Sequence, residues 1–259
     1  MRDDDADNSG ADNPGADDSV PFLGLETQER PWPNVRPRDA ATLIILDRKG
    51  KTPKVLMGRR HPRHKFMPGK FVFPGGRIEE GDRRMNVTGS LAEACEARLM
   101  ARVQRPTMSR ARALALAAIR ETFEETGLLF GSRDFGVPPS APEGPWRDFA
   151  GHGVYPDLEA LTFIARAITP PRRPKRFDAR FFAIDHDALA HKVDGVVGPD
   201  TELDKLVWVT FDETRALELA PVTRMVLDEL AARITRGFGP FLKVPFYYER
   251  GRKWVRDEL

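Results

Sequence analysis

At 259 residues and 41% apolar content the chain is long enough to bury a sizeable core as one large domain, which excludes general disorder. Its net charge of +2 is unevenly placed: residues 1–20 hold seven Asp against Arg2 alone, a net of −6, leaving a mildly basic body of +8. That body suits an anionic small molecule. With 41 Lys and Arg against 39 Asp and Glu, and no arginine stripe interleaved with aromatics, it gives no nucleic-acid footprint.

The single cysteine, Cys95, excludes an intramolecular disulfide, and without a C-x-x-C pair there is no structural zinc site. A reducing cytoplasm is the expected setting, and no apolar run is long enough to predict a membrane span. The terminal Arg256-Asp-Glu-Leu259 resembles a retrieval signal but is discounted for want of an entry signal.

Residues 1–20, almost free of large side chains, predict a disordered acidic tail, and residues 21–37 an irregular lead-in around Trp32. Ala41 to Leu46 is a β-branched, apolar strand, with Lys54 to Arg59 its hairpin partner. Leu91, Cys95, Leu99 and Val103 recur every four residues and predict a helix that Pro106 ends. A second helix is expected from an N-cap at Ser109 to Thr126, closed by Gly127. Strands follow at 158–168, 177–184 and 205–209, then helices at 212–219 and 222–235. This order lacks regular βαβ spacing and predicts a mixed α/β domain.

On the second helix, at 100° per residue, Leu116, Ile119 and Phe123 share one side. Glu121, Glu124 and Glu125 share the other, and the i, i+3, i+4 spacing stacks their carboxylates. Stacked like charges weaken a helix unless a cation joins them, and hard divalent ions favour oxygen ligands. The competing reading is an ordinary solvated acidic face. Upstream, Phe73-Pro-Gly75-Gly76 ends a strand-like segment and precedes Asp82; a glycine pair there brings bare backbone close to a ligand. Cys95 has no histidine placed to activate it and is expected to be buried and inert.

The two segments resemble the halves of the Nudix box. Gly76 matches its first glycine, Asp82 the acid that follows, and Arg120, Glu121, Glu124, Glu125, Gly127 and Leu128 its helical half. Two positions depart from the pattern: Asp82 stands for Glu, and Thr122 for an apolar residue. The spacer between the halves is much longer than the family's and reads as a helical insertion at about 83–108, laid on the surface. The segments Arg60 to Gly76 and Arg176 to Phe182 are similar to peroxisomal coenzyme A diphosphatase-like Nudix proteins.

The resemblance implies a Nudix-type α/β/α sandwich with a mixed sheet, a single domain over 38–259. It implies a hydrolase using Mg²⁺ or Mn²⁺ to cut a diphosphate linkage in a nucleoside diphosphate derivative, with coenzyme A or an acyl-coenzyme A as substrate. Glu121, Glu124, Glu125 and the Gly76 carbonyl would ligate metal. Arg120 would position a glutamate with Asp82, Glu121 or Glu202 would activate water, and Gly75 and Gly127 would shape the motif; Glu159 and Asp204 stand behind Glu202 as the outside acid. Arg59, Arg60, Lys65, Arg176 and Arg180 would meet substrate, with Arg63 and Lys70 in the same basic loop. The alternatives are an ADP-ribose or dinucleotide diphosphatase, and a non-catalytic nucleotide-binding regulator of the same fold. No nucleic-acid or membrane partner is implied; a homodimer is allowed.

Overall fold

The structure, a computed structural model, describes residues 30–64, 67–239 and 241–259. The expected tail, the first part of the lead-in and Lys65 lie outside them.

Strand β1 (Arg38–Asp47) organises the fold. Its alternate side chains point to opposite faces, and both faces are apolar, so it is buried on both. It pairs in parallel with β7 (Phe177–Asp185), and antiparallel at its far end with β2 (Lys54–Arg60). Near its start it pairs antiparallel with β4 (Gly75–Arg77). The sheet thus forks at β1: one branch runs through β2 to β3 (Phe71–Val72) and β9 (Leu203–Thr210). Beyond β7 lie β6 (Thr162–Ile168), β10 (Pro245–Arg250) and β11 (Lys253–Glu258), giving a nine-stranded mixed sheet. A separate pair joins β5 (Leu128–Phe130) to β8 (Leu189–Lys192).

Helix α2 (Met108–Thr126) covers one face of the sheet and α4 (Pro221–Thr235) the other. Leu43 and Ile45 pack with Leu114, Leu116 and Ile119 of α2; Ile44 and Leu46 pack with Val226, Leu227 and Leu230 of α4. The result is an α/β/α sandwich, each fully buried Leu or Ile contributing roughly 1.5–3 kcal/mol. Among the described residues no helix is long and apolar enough to cross a membrane.

Several boundaries differ from the sequence expectation. The N-cap of α2 is Thr107, whose hydroxyl accepts the Arg110 N–H at 3.1 Å, two residues ahead of Ser109. Its C-cap is Gly127 at φ 74°, where any Cβ would lie 2.2 Å from the Val193 carbonyl oxygen. Helix α1 (Glu93–Met100) is shorter than expected, and 212–219 forms only a 3₁₀ turn at Glu213–Ala216. The segment around α1 is no surface addition: Met85, Leu91, Cys95 and Leu99 are buried in the same core as α2 and β1. Helix α3 (Pro145–Gly151) and the β10–β11 hairpin were not anticipated. Arg256 to Glu258, read as part of a signal, are residues of β11.

Candidate active site

The site forms where the last turns of α2 pass beneath the β4 glycines. Gly75 and Gly76 pair with Thr42 and Ala41 of β1, and neither has positive φ. Space is what requires glycine there: a Cβ on Gly76 would lie 2.2 Å from Glu121 Oε1, and one on Gly75 2.6 Å from the Ala41 carbonyl oxygen. The Gly75 backbone also lies close to the Glu125 carboxylate and favours its charged form.

Arg120, only 2% exposed, organises the carboxylates. Its Nε donates to Asp82 Oδ1 at 2.8 Å and its Nη2 to the Arg77 carbonyl at 2.8 Å and Asp82 Oδ2 at 3.3 Å. Its Nη1 reaches Glu124 Oε1 at 2.5 Å and Glu121 Oε1 at 3.1 Å. Asp82 is fully buried in a 3₁₀ turn at Gly81–Arg83 and comes to Arg120 across 38 residues of sequence. Such a buried, bidentate, charge-assisted pair fixes orientation more than it adds stability.

The acidic face of α2 is solvated at Glu124 but not at its other two glutamates. The Glu121 side chain is 18% exposed, and burial first, with repulsion from Glu124, lifts its pKa to about 7 against the pull of Arg120. Glu125 is buried, and burial, then repulsion from Glu202 and Glu121, holds its pKa well above the usual carboxylate range. Glu202, the residue before β9, therefore adds a fourth carboxylate from outside α2. It is ion-paired with Arg60, and the His61 N–H donates to its backbone carbonyl at 3.0 Å. A cavity of about 470 Å³ opens beside it, lined by His61, Arg63, His64, Pro199, Asp200 and Thr201.

This donor set suits a hard divalent cation. Burial and mutual repulsion raise the pKa of Glu121 and Glu125, which lie against backbone that carries no Cβ, and added positive charge would relieve that repulsion. Among the described residues no three of the four carboxylates already converge on one point, since Arg120 draws Glu121 and Glu124 while Arg60 draws Glu202.

The basic residues are placed differently from expectation. Arg59 pairs with Asp204 at 2.8 Å and Arg60 with Glu202, so each meets an acid of this chain. Arg180 is fully buried away from any ligand surface, between Asp39 at 2.9 Å and Asp178 at 3.0 Å. Arg176 ties β7 to the lead-in through the Asn34 amide oxygen at 2.8 Å and the Val35 carbonyl at 2.6 Å. The substrate-contact expectation is corrected for Arg180, which is sealed inside the sheet by the acids nearest to it; Arg176 is half-buried and held by an amide oxygen and backbone carbonyls. Glu159 lies beside Gly89, away from the cluster. Cys95 is buried and its thiol is pushed up to about 11, chiefly by burial.

Sequence reasoning missed Trp146 of α3, whose indole Nε1–H donates to Asp82 Oδ1 at 2.8 Å. No spacing or motif around Trp146 signals that contact.

A crystal structure of a Nudix hydrolase from Alicyclobacillus acidocaldarius is similar to this chain at 29% identity and TM-score 0.55, covering 76% of this chain and 92% of that one. More distant are the Nudix domain of Shewanella oneidensis NrtR complexed with ADP ribose (11%, TM-score 0.43, 77% and 90% covered) and RenU, a Nudix hydrolase of M. smegmatis (17%, 0.39, 80% and 96%). Neither of these two adds to what the first shows. No family model matches the chain, and no curated protein matches it. The fold and its similarity to the Alicyclobacillus structure are those of a hydrolase. In fold and at 29% sequence identity the chain is similar to a Nudix hydrolase.

Proposed function

We propose that the protein hydrolyses the diphosphate linkage of a nucleoside diphosphate derivative, with Mg²⁺ or Mn²⁺ bound by Glu124, Glu125, Glu121 and the Gly76 carbonyl. The supporting observation is that Arg120 holds Glu121 and Glu124 while Glu125 is buried close to Glu121, Glu202 and the Gly75 backbone, with Glu121 against Gly76. On this reading Gly76, Asp82 and the Arg120–Glu125 segment form one Nudix box, interrupted by residues 83–108, within a single domain over 38–259. A bound divalent ion supplies a more acidic water and neutralises charge developing on the diphosphate.

The chain's own residues do the rest. Glu124 is oriented by Arg120 Nη1, and Glu125 lies against the Gly75 backbone. Glu202, partly exposed and oriented by Arg60, takes the proton of the attacking water. Water oxygen bonds to one phosphorus, the bridging P–O bond breaks, and two phosphomonoesters leave. The cavity beside Glu202 receives the part of the substrate beyond the diphosphate, Arg63 lining its wall.

For the substrate, the pattern from Arg60 to Gly76 supports coenzyme A or an acyl-coenzyme A. The pairing of Arg60 with Glu202 favours the second reading, ADP-ribose or a dinucleotide, because it removes one cation proposed for a further phosphate. A screen of nucleoside diphosphate derivatives with Mg²⁺ or Mn²⁺ and mass detection of products tests both. Two phosphomonoester products, lost in Glu124→Gln, are expected; no cleavage of any diphosphate would overturn the proposal.

A further inference from the structure

The Asp82 carboxylate is enclosed and fully committed. Oδ1 accepts Arg120 Nε at 2.8 Å and Trp146 Nε1 at 2.8 Å; Oδ2 accepts the Glu79 N–H at 2.7 Å and Arg120 Nη2 at 3.3 Å. Two of these donors belong to Arg120 itself and one to the local turn. The indole is the donor that ties Asp82 to a separate element, α3.

Trp146 also packs by its ring. It meets Phe149 edge-on at 5.3 Å, and Phe149 meets Phe123 at 5.5 Å and 87°; Phe123 lies on α2, next to Glu124 in sequence. The Trp146 Cδ1 atom stands 3.1 Å from where a Gly81 Cβ would be. Helix α3 therefore meets the Asp82 turn through the indole, and packs on the apolar side of α2, away from its glutamates, through Phe149. Packing alone asks only for an aromatic ring in this apolar surround. A buried N–H aimed at a buried carboxylate has a second consequence, because it fixes which way Oδ1 points.

We infer that Trp146 is a positioning residue for the acid cluster, its indole N–H fixing Asp82, which sets the rotation of Arg120 and so the placement of Glu121 and Glu124. The inference rests on the metal-dependent reading above. The chain of contacts is short and rigid: indole to Asp82 Oδ1, Asp82 to guanidinium, guanidinium Nη1 to the two glutamates. Losing the indole N–H leaves Oδ1 with one donor instead of two, and the guanidinium free to follow it. Partners that orient metal-binding groups at one remove typically change metal affinity or activity by about 10- to 100-fold when lost.

The test compares Trp146→Phe with Phe149→Leu in the full-length protein, measuring Mn²⁺ affinity by calorimetry, kcat and KM, and Tm. Phe149→Leu disturbs the packing of α3 but leaves the indole N–H in place. Trp146→Phe is expected to weaken Mn²⁺ binding about tenfold and lower kcat with little change in KM. Phe149→Leu is expected to lower Tm with wild-type Mn²⁺ affinity. Equal losses of Mn²⁺ affinity in the two variants, or wild-type affinity in Trp146→Phe, would overturn the inference while leaving the proposed function standing. Wild-type protein that binds no Mn²⁺ would overturn the metal reading and this inference together. A readout independent of any variant's folding is the Trp146 indole N–H resonance in ¹⁵N-labelled protein. It is expected to shift as Mg²⁺ is titrated; a fixed indole signal while the Glu124 and Glu125 amides move overturns the inference.

Discussion

Gly76 and Glu121 show how little room the site leaves. A methyl group on Gly76 would occupy the position of the Glu121 carboxylate, which is the far end of a side chain and can move aside. Gly76→Ala should therefore fold with Tm within a few degrees of the parent yet lose activity by ~10²-fold, the scale of a misplacement near 1 Å. Activity within twofold of the parent would show that Glu121 need not sit where it does. Glu124→Gln and Glu125→Gln should each lower turnover by at least ~10²-fold, as when a charge-stabilising group is removed from a reaction centre. In metal-free buffer Glu125→Gln should raise Tm or leave it unchanged, because it deletes a buried carboxylate repelled by Glu202 and Glu121. A large drop in Tm would argue that Glu125 is a structural acid.

The cysteine gives a residue-scale check with a pH sign. The thiol ionises near 9.0 when exposed and only at about 11 in the fold, so between those values the unfolded chain releases a proton that the folded protein keeps. Folding is then progressively disfavoured as pH rises through that window. A thiol reagent at pH 8 should label Cys95 at the rate of unfolding, with urea accelerating it; rapid labelling of native protein would place Cys95 nearer solvent.

At the scale of elements, α1 and α3 carry the consequences that spacing did not reveal. Residues 83–108 read as a surface addition because their length exceeds the family pattern, yet Met85, Leu91 and Leu99 are in the main core. Leu99→Ala should cost about 2–5 kcal/mol in urea denaturation, and replacing 83–108 by a short linker should abolish cooperative unfolding. Retention of a sharp transition after that excision would return α1 to the surface. The β10–β11 hairpin was legible in retrospect. Aromatic residues on both strands flank the two-residue turn Gly251–Arg252, which takes positive φ at both positions, 59° and 66°. An Arg in place of the usual Gly or Asn in that turn hid the signal.

At the scale of the whole molecule, one charged network locks β1, β7, β6 and α2 together. Asp39 binds Arg110 and Arg180, Asp178 binds Arg166 and Arg180, and Arg166 reaches the carbonyls of Ala101 and Arg102 beyond α1. Arg180 is held with its Nε and Nη2 unpaired, so its charge depends on the two acids. Asp178→Ala should therefore destabilise the protein by about 3–5 kcal/mol, the cost of leaving buried cations without their partner. KM of the remaining folded enzyme should be unchanged; a rise in KM without loss of stability would restore a substrate role to Arg180.

The sequence by itself determined the strands whose side chains repeat every two residues, the apolar stripe of α2, its glycine cap and the stacking of Glu121, Glu124 and Glu125 on one side. These are consequences of local geometry, which a single segment carries alone. The tertiary structure decided what no segment carries. It buried Glu125 and brought Glu202 against it, spent Arg59 and Arg60 on acids of the chain, sealed Arg180 inside the sheet, and set an indole from α3 on Asp82. Each depends on two stretches meeting in space, Asp82 and Arg120 across 38 positions and Trp146 and Asp82 across 64. Periodicity fixes which side of an element a residue faces; only packing fixes what stands opposite.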